Sequence, residues 1–189
     1  MQWTQIDGVG RVAQNVFSPA ELESATGLSV DMQRVWRRRG HIASNDGGRA
    51  SFTAQEVAAV AVRQGLAKRG ISPTETLRIG SEAAPKVLYS ALISYGGAAD
   101  VRGSFERVAA VAKEFSSTDR IATKLTGADG SGRYLWANLP PDFQFADDFA
   151  ALLSGEQYSG FVLLDLVVIA KELVKRATKP LFFIELSDT

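Results

Sequence analysis

Hydrophobic side chains recur at helical spacing in the first half of the chain, and three short polar motifs mark where helices begin. Each motif has the pattern of a capping box, in which a Ser or Thr hydroxyl accepts from the third backbone N–H and a glutamate bonds back to the cap N–H. The motifs occupy residues 18–21, 53–56 and 72–75. They predict helices that start at Pro19, Ala54 and Pro73.

The first two predicted helices are short and follow each other closely. The first covers residues 19–25 and ends at Gly27, because glycine can adopt the positive φ of a tight turn. Ser29 caps a second helix over residues 29–39, which Gly40 ends. The pattern therefore predicts two helices joined by a glycine turn.

Turn formers and two longer helices come next. Residues 44–52, which include the segment SNDGGR, predict a small hairpin. A third helix over 54–68 carries an apolar stripe, and a fourth runs from Pro73 toward Tyr95 with a kink or break at Pro85, where one helical hydrogen bond is lost. The stripe consists of Val57, Val60, Ala61 and Leu66.

The second half of the chain mixes helices and strands. Residues 134–139 predict a strand and residues 147–153 a short helix. Residues 161–166 are either a strand or the start of a helix that continues to residue 176. The apolar run at 181–186 is typical of a strand buried on both faces. A further helix, over 104–115, is expected to bury Phe105, Val108, Val111, Ala112 and Phe115.

These elements predict an α+β protein in two parts. A short helix, a glycine turn, an arginine-rich helix and a glycine-containing hairpin follow in the order of a winged helix-turn-helix. A mostly helical winged helix-turn-helix domain is therefore expected first, followed by a small α+β domain. The predicted divisions are an N-terminal extension at 1–15, the winged-helix domain at 16–80, a helical linker at 81–97 and an effector or dimerisation domain at 98–189.

Charge is balanced over the whole chain but not along it. The 189 residues include 21 basic and 21 acidic side chains. Residues 1–79 contain ten Lys and Arg against seven Asp and Glu, whereas residues 80–189 contain eleven against fourteen. Any site for a polyanion therefore belongs to the first part. The lack of cysteine and the single histidine exclude disulfides, thiolate chemistry and multi-histidine metal sites.

Four arginines surround one tryptophan in the second predicted helix. They are Arg34, Arg37, Arg38 and Arg39, with Trp36 among them. An α-helix fits the major groove of DNA, its early residues reach base edges, and arginine binds both guanine and phosphate. The alternative is a charged helix face exposed to solvent. The short helix and glycine turn before it and the hairpin after it favour DNA binding, with Trp36 packed in the core.

Residues 16–80 resemble the DNA-binding domain of the MerR family. Matching positions in its first two helices are Leu22, Thr26, Gly27, Ser29, Arg34, Trp36, Arg38, Gly40 and Ile42. The end of the predicted wing, with Arg49, Phe52 and Thr53, is similar to the end of the family's wing but contains one extra residue. Glu56 and Val57 are similar to the opening of the next helix, and residues 66–72 to the link that follows it.

Three positions depart from the family pattern. Glu23 replaces a small residue where the two helices cross, Gln33 replaces a core leucine, and Val35 replaces an aromatic residue. Met32 is the candidate to take over the apolar position of Gln33.

The resemblance implies a DNA-binding transcriptional regulator, usually a dimer, whose second helix enters the major groove and whose wing touches the DNA. The expected partners are double-stranded DNA and a second copy of the chain. The candidate DNA-binding residues are Ser29, Asp31, Gln33, Arg34, Arg37, Arg38, Arg39, His41 and Arg49.

Different roles are expected within this set. Base reading falls to Asp31, Gln33 and Arg34. The three successive arginines that follow cannot all face one groove floor, so they are candidates for phosphate contacts. His41 either contacts phosphate or is structural, and Arg49 either touches DNA or caps the hairpin.

Two other functions stay open. The winged domain could bend DNA as an architectural or excision factor. Alternatively, residues 98–189 could bind a small apolar molecule or a protein effector through Tyr134, Trp136, Tyr158 and Phe161.

Enzymatic activity is not expected. The glycine-rich segment 127–133 lacks the Gly-Lys-Ser/Thr of a phosphate-binding loop, and no spacing indicates a nucleophile with its base. We expect no cofactor and no metal. The first residues show no basic segment followed by an apolar one, and no apolar run approaches eighteen residues, so a cytoplasmic, nucleoid-associated protein without a membrane segment is expected.

Overall fold

The computed structural model of the protein describes residues 3–6, 9–42, 50–118, 120–138, 142–150 and 161–187. Helices and sheets are both present, which confirms the α+β class. The first half contains β1 (Trp3–Ile6), β2 (Gly10–Gln14), β3 (Val16–Phe17), α1 (Pro19–Thr26), α2 (Val30–Arg38), β4 (Phe52–Thr53), α3 (Ala54–Ala67) and α4 (Leu77–Ser94). The second half contains β5 (Ala99–Arg102), α5 (Phe105–Thr118), α6 (Arg120–Thr126), β6 (Tyr134–Ala137), β7 (Phe143–Ala146), β8 (Val162–Asp165), α7 (Leu166–Arg176) and β9 (Phe182–Leu186).

Within the described residues the strands form three sheets. The largest has the order β1–β2–β9–β5, in which β9 pairs antiparallel with β2 and parallel with β5. β3 and β4 form a two-stranded antiparallel ribbon, and β7–β6–β8 form an antiparallel sheet. The largest sheet therefore joins strands that are far apart in sequence.

The capping boxes predicted for α1 and α3 are confirmed. The Ser18 N–H donates to Glu21 Oε2 at 2.7 Å, and the Glu21 N–H donates to Ser18 Oγ at 3.4 Å. Thr53 and Glu56 make the same pair of bonds at the start of α3. Gly27 ends α1 with a φ of 76°, as predicted. Local sequence is therefore sufficient to place these helix ends.

The fourth helix begins later than predicted. Residues 73–76 form a turn, and α4 starts at Leu77 rather than at Pro73. The Pro73 carbonyl oxygen accepts hydrogen bonds from Arg63 Nη2 and Thr76 Oγ1, both at 3.1 Å. Two side chains therefore donate to a carbonyl oxygen that would accept a backbone N–H if the helix started at Pro73.

Of the kink or break predicted at Pro85, the break is wrong, because α4 continues through the proline to Ser94. The helix packs along α3 and against α7, and Ala84 and Val87 on either side of the proline are fully buried. The free energy gained by burying this apolar face offsets the loss of the single backbone hydrogen bond that proline removes.

One hydrophobic cluster includes residues from every predicted domain. α7 packs against α1, α3 and α4, and the cluster contains Leu22 of α1, Leu88 of α4 and Leu173 of α7. α4 crosses the predicted boundary at residue 80, and β2, inside the predicted N-terminal extension, pairs with β9. The packing therefore runs across the predicted boundaries.

The second half confirms some predictions and corrects others. β6 lies within the strand predicted over 134–139. Residues 161–176 combine both alternatives, since β8 leads directly into α7, where Asp165 accepts bonds from the N–H groups of Val167 and Val168. Residues 151–153 of the helix predicted over 147–153 and residues 44–49 of the hairpin predicted over 44–52 lie outside the described residues.

Two burial predictions in the second half are wrong. Phe105 is 87% exposed, because it is the first residue of α5 and only Val108, one turn later, packs partly against the core. β9 is not buried on both faces: Phe183 and Glu185 are only partly buried. Glu185 instead pairs with Arg11 of β2 at 2.5 Å on the outer face. The side chains of Val111, Ala112 and Phe115 lie outside the described part.

No described helix is both long enough and apolar enough to cross a membrane.

Gly10 should be indispensable to the pairing of β2 with β9. Its φ is 135°, and a Cβ at this position would overlap the Glu185 carbonyl oxygen and lie 2.8 Å from the Ser187 nitrogen. We therefore expect Gly10→Ala to lower the free energy of unfolding by several kcal/mol, on the order of 3. Urea denaturation followed by circular dichroism measures this loss.

The matched control is Gly96→Ala, where an added methyl group meets no atom within 4 Å. A change within about 0.5 kcal/mol is expected there. If both variants unfolded at the same urea concentration, Gly10 would not be needed for the approach of the two strands.

Candidate nucleic-acid interface

The arginine-rich helix α2 has two caps at its start. Ser29 Oγ accepts from the Met32 N–H, and a Glu23 carboxylate oxygen accepts from the Val30 N–H, both at 3.3 Å. These bonds satisfy N–H groups that the first turn of a helix leaves unpaired. Ser29, a predicted DNA-binding residue, therefore has a capping role, and Glu23 places a negative charge at the same end of α2.

Gln33 lies on the buried side of α2 and is 0% exposed. Its Nε2 donates to the carbonyl oxygens of Pro19 and Leu28, both at 2.8 Å. This geometry corrects the expectation that Gln33 reads a base, because its amide fastens α2 to the start of α1 and to the turn between the helices. Met32 does not replace it in the core, since Met32 is 45% exposed.

The far end of α2 is held by a cluster of Trp36, His41 and Arg63, which we call the Trp–Arg–His cluster. Trp36 is buried, as predicted, and the guanidinium carbon of Arg63 lies 4.8 Å from its ring centre. The His41 ring meets Trp36 edge-on, with ring centres 6.3 Å apart. Arg63 also donates to the His41 carbonyl oxygen. The cluster therefore fixes the end of α2 on α3.

Arg63 is a buried cation that is 4% exposed. Burial lowers the pKa of its guanidinium to about 10, so the group remains charged at neutral pH. Among the described residues no carboxylate forms an ion pair with it. Carbonyl oxygens of His41 and Pro73 and the Trp36 ring face the charge instead. On α4, a Cβ at Gly80 would lie 2.6 Å from Arg63 Cδ, so glycine leaves the room that this side chain needs.

Sequence reasoning did not identify Arg63 or the capping role of Glu23. A signal for Arg63 was present, since it falls three residues after Val60 and three before Leu66, within the apolar stripe of α3. A cation at such a position is typical of a buried group with specific partners. Glu23 carried no comparable signal, because its partner Val30 lies on another helix.

His41 is buried, which favours the structural role over the phosphate contact, the two alternatives that the sequence left open. Burial, together with the nearby charges of Arg63 and Arg39, lowers the pKa of the His41 imidazole. The ring is therefore neutral at pH 7 and belongs to the packing between α2 and α3.

The charged residues of α2 and of its C-cap lie toward the surface, and we call this set the arginine face: Asp31, Arg34, Arg37, Arg38 and Arg39. Asp31, Arg34 and Arg38 are exposed and share one side of the helix through their spacing. Arg39 is also exposed, and Arg37 is partly buried. Part of this face borders a shallow groove. The structure thus brings five of the predicted residues together at the surface.

One ion pair lies within the arginine face. Arg34 Nη1 is 2.6 Å from Asp31 Oδ1, and both side chains are more than half exposed to solvent. Ion pairs in such positions contribute about 0–1 kcal/mol. Arg34 can therefore exchange this partner for another acceptor at little cost.

The ribbon of β3 and β4 lies immediately before α3. Val16 pairs with Thr53 and Phe17 with Phe52. Residues 43–49, including Arg49, lie outside the described residues, so the role of Arg49 in a wing stays a prediction.

The aromatic residues proposed for an effector site contact other aromatic rings. Trp136 is buried with its ring centre 6.1 Å from that of Phe161, and the ring centres of Tyr134 and Phe149 are 6.2 Å apart. Tyr158 lies outside the described residues. The effector role of these residues stays a prediction.

Within the part of the chain that the structure describes, no three His, Asp or Glu side chains are grouped as metal ligands would be. The sequence matches no protein-family model and no curated protein. The arginine face is therefore the feature that best indicates a function.

Replacing Arg63 should loosen the attachment of α2. Arg63→Met removes the hydrogen bonds from Arg63 to the carbonyl oxygens of His41 and Pro73 and takes the cation away from the Trp36 ring, so we expect a loss of roughly 2–4 kcal/mol in the free energy of unfolding. Arg69→Met, at an exposed arginine, is the control, with an expected change within about 0.5 kcal/mol. Equal losses in the two variants would contradict a special role for Arg63.

The buried His41 ring should make the protein less stable in mild acid. Because its folded-state pKa is below the ordinary 6.5, the unfolded state binds more protons as the pH falls below about 6.5. The stability is therefore fully present above that pH and decreases as the pH falls toward the folded-state pKa. His41→Asn should reduce this acid sensitivity, as measured by urea denaturation at several pH values.

His41 is the only histidine of the chain, so its ring protons give a single assignable NMR titration. An ionisation at or above pH 6.5 in the folded protein would show that the ring is not buried.

Proposed function

We propose that the protein is a sequence-specific DNA-binding transcriptional regulator with α2 as its recognition helix. The observation that carries this proposal is the division of α2 into two sides. Gln33 and Trp36 attach one side to α1 and α3, while the arginine face is exposed on the other. A helix held in this way can enter the major groove without leaving the protein body.

Arg34 is the proposed base reader. It lies in the first half of α2, beside Asp31 on the exposed side, and its guanidinium can bind the O6 and N7 atoms of guanine with two parallel hydrogen bonds. Asp31 orients the guanidinium in the free protein, and its carboxylate can accept from the amino group of cytosine. The pair therefore offers a donor and an acceptor to one or two adjacent base pairs.

Arg37, Arg38 and Arg39 are the proposed phosphate contacts. They cluster at the end of α2, where we expect them to contact the DNA backbone while Arg34 contacts the base edges in the groove. The chain as a whole is neutral, so long-range attraction to DNA is weak and affinity depends on this local positive charge. Binding should therefore weaken steeply with salt.

The ribbon and a second copy of the chain complete the proposal. β4 leads directly into α3, where a winged helix carries its wing, and the wing predicted over residues 44–52 is the proposed contact with the DNA backbone or minor groove. Two copies would read two half-sites, spaced about one helical turn or a multiple of it apart.

The two kinds of arginine should behave differently in a binding experiment. Arg38→Ala is expected to weaken binding to all sequences alike and to reduce the slope of log K against log salt by about 1. Arg34→Ala is expected to relax the preference at one base pair by ~1–3 kcal/mol. The measurement is a salt titration with genomic DNA fragments, followed by sequencing of the fragments retained.

Arg102→Ala is the matched control, because Arg102 is an exposed arginine on β5 that pairs with Asp100. It should bind DNA as the wild type does. Retention of fragments without an enriched sequence would favour an architectural protein over a regulator. No retention by the wild type at low salt would mean that the arginine face is a solvated surface and that the proposal is wrong.

A further inference from the structure

A cavity of about 620 Å³ opens between the largest sheet and two helices. Its walls come from β1, β2 and β9, from the start of α3 and from the end of α6. Pockets for small organic ligands commonly have volumes of about 300–1,000 Å³. The cavity is therefore large enough for one such molecule, and it lies apart from the arginine face.

The sheet side of the cavity combines three apolar side chains with the polar Thr4, Gln5 and Gln14. Ile6, Val12 and Phe182 line it, and all three belong to the buried core. Leu125 of α6 adds a further apolar side chain. These residues offer a surface on which the hydrocarbon part of a ligand can be removed from water.

The rim carries hydrogen-bonding groups and one positive charge. Lys124 lies at the end of α6, and it is the only charged residue among those that line the cavity. Lys124 is exposed, and no ion pair joins it to another described residue. Its ammonium group is therefore available to an anionic group of a ligand.

Two glutamines contribute further hydrogen-bonding groups beside this charge. Gln14 Oε1 accepts from the Gln55 N–H at 3.2 Å, which leaves the Gln14 Nε2 and the Gln55 side-chain amide without partners among the described residues. The nearest carboxylate on α3, that of Glu56, is bound by the N–H and hydroxyl of Thr53. Available donors and a single positive charge favour an anion over a cation.

We infer that this cavity binds a small amphipathic carboxylic acid. The apolar body lies on the sheet between β1 and β9, and the carboxylate binds Lys124 with the help of the glutamine amides. Val16 and Thr53, the residues paired in the ribbon, also line the cavity, so the ligand touches the base of the ribbon as well as the sheet.

Octanoate and 3-phenylpropanoate are suitable probes, with 1-octanol and 3-phenylpropan-1-ol as uncharged counterparts. Titration of the full chain by isothermal calorimetry should show saturable binding of at least one acid at a single site, and thermal unfolding should shift upward with the same acid. The alcohols should bind at least tenfold more weakly, because they lack the charge that Lys124 recognises.

Lys124→Met keeps the apolar stem of the side chain and removes its charge, so it should weaken binding of the acid at least tenfold. Lys171→Met is the matched control, because Lys171 is exposed on α7 and does not line the cavity. Lys124→Glu should reverse the preference, so that octylammonium binds in place of octanoate. Lys124 is exposed, and circular dichroism verifies that its variants fold.

Three results would overturn the inference. The first is the absence of saturable binding of either acid up to about 10 mM, a concentration well above a Kd of useful affinity. The second is equal binding of acid and alcohol, which would show that the cavity does not recognise the carboxylate. The third is unchanged affinity in Lys124→Met, which would place the binding site elsewhere on the protein.

Discussion

The guanidinium of Arg63 is buried where α2, α3 and α4 meet, and no described carboxylate neutralises it. Its charge is accommodated by carbonyl oxygens at the end of α2 and before α4, by the face of Trp36, and by the space that Gly80 leaves on α4. These contacts come from three segments of the chain, which are the end of α2, the turn before α4 and α4 itself. The position of one cation therefore determines how the three helices sit together, and the orientation of the arginine face depends on it.

A second polar side chain, Gln33, has a related effect at the middle of α2. Apolar contacts alone are non-directional and allow a short helix to rotate about its axis. The bonds from Gln33 to Pro19 and Leu28 are directional and allow one rotation. The buried Gln33 Oε1 has no hydrogen-bond partner among the described residues, which is an unfavourable contribution that the two donated bonds and the surrounding apolar contacts offset. Polar groups in the core thus decide which side chains α2 presents to solvent.

Features that depend on neighbouring residues were predictable from the sequence, and features that depend on distant ones were not. The capping box at Ser18 and the turn at Gly27 are local, so their geometry follows from a few residues. No break occurs at Pro85, because packing of α4 on α3 outweighs the local effect of the proline. The burial of Gln33 was not predictable, because a polar side chain on a short charged helix can face either way and the partners of Gln33 lie on other segments. Spacing alone places Asp31, Arg34 and Arg38 on one side of α2, where all three are exposed.

The pairing of β2 with β9 also constrains how the protein is made. Arg11 and Glu185, which meet on the outer face of the sheet, are 174 residues apart in the chain. At a synthesis rate of about 5–20 residues per second, β9 is made roughly 10–35 s after β2. α1, α2 and α3 can form in that interval from local contacts, while the central pairing of the largest sheet is delayed. β2 can therefore pair in the sheet only after β9, and every element between the two strands, has been synthesised.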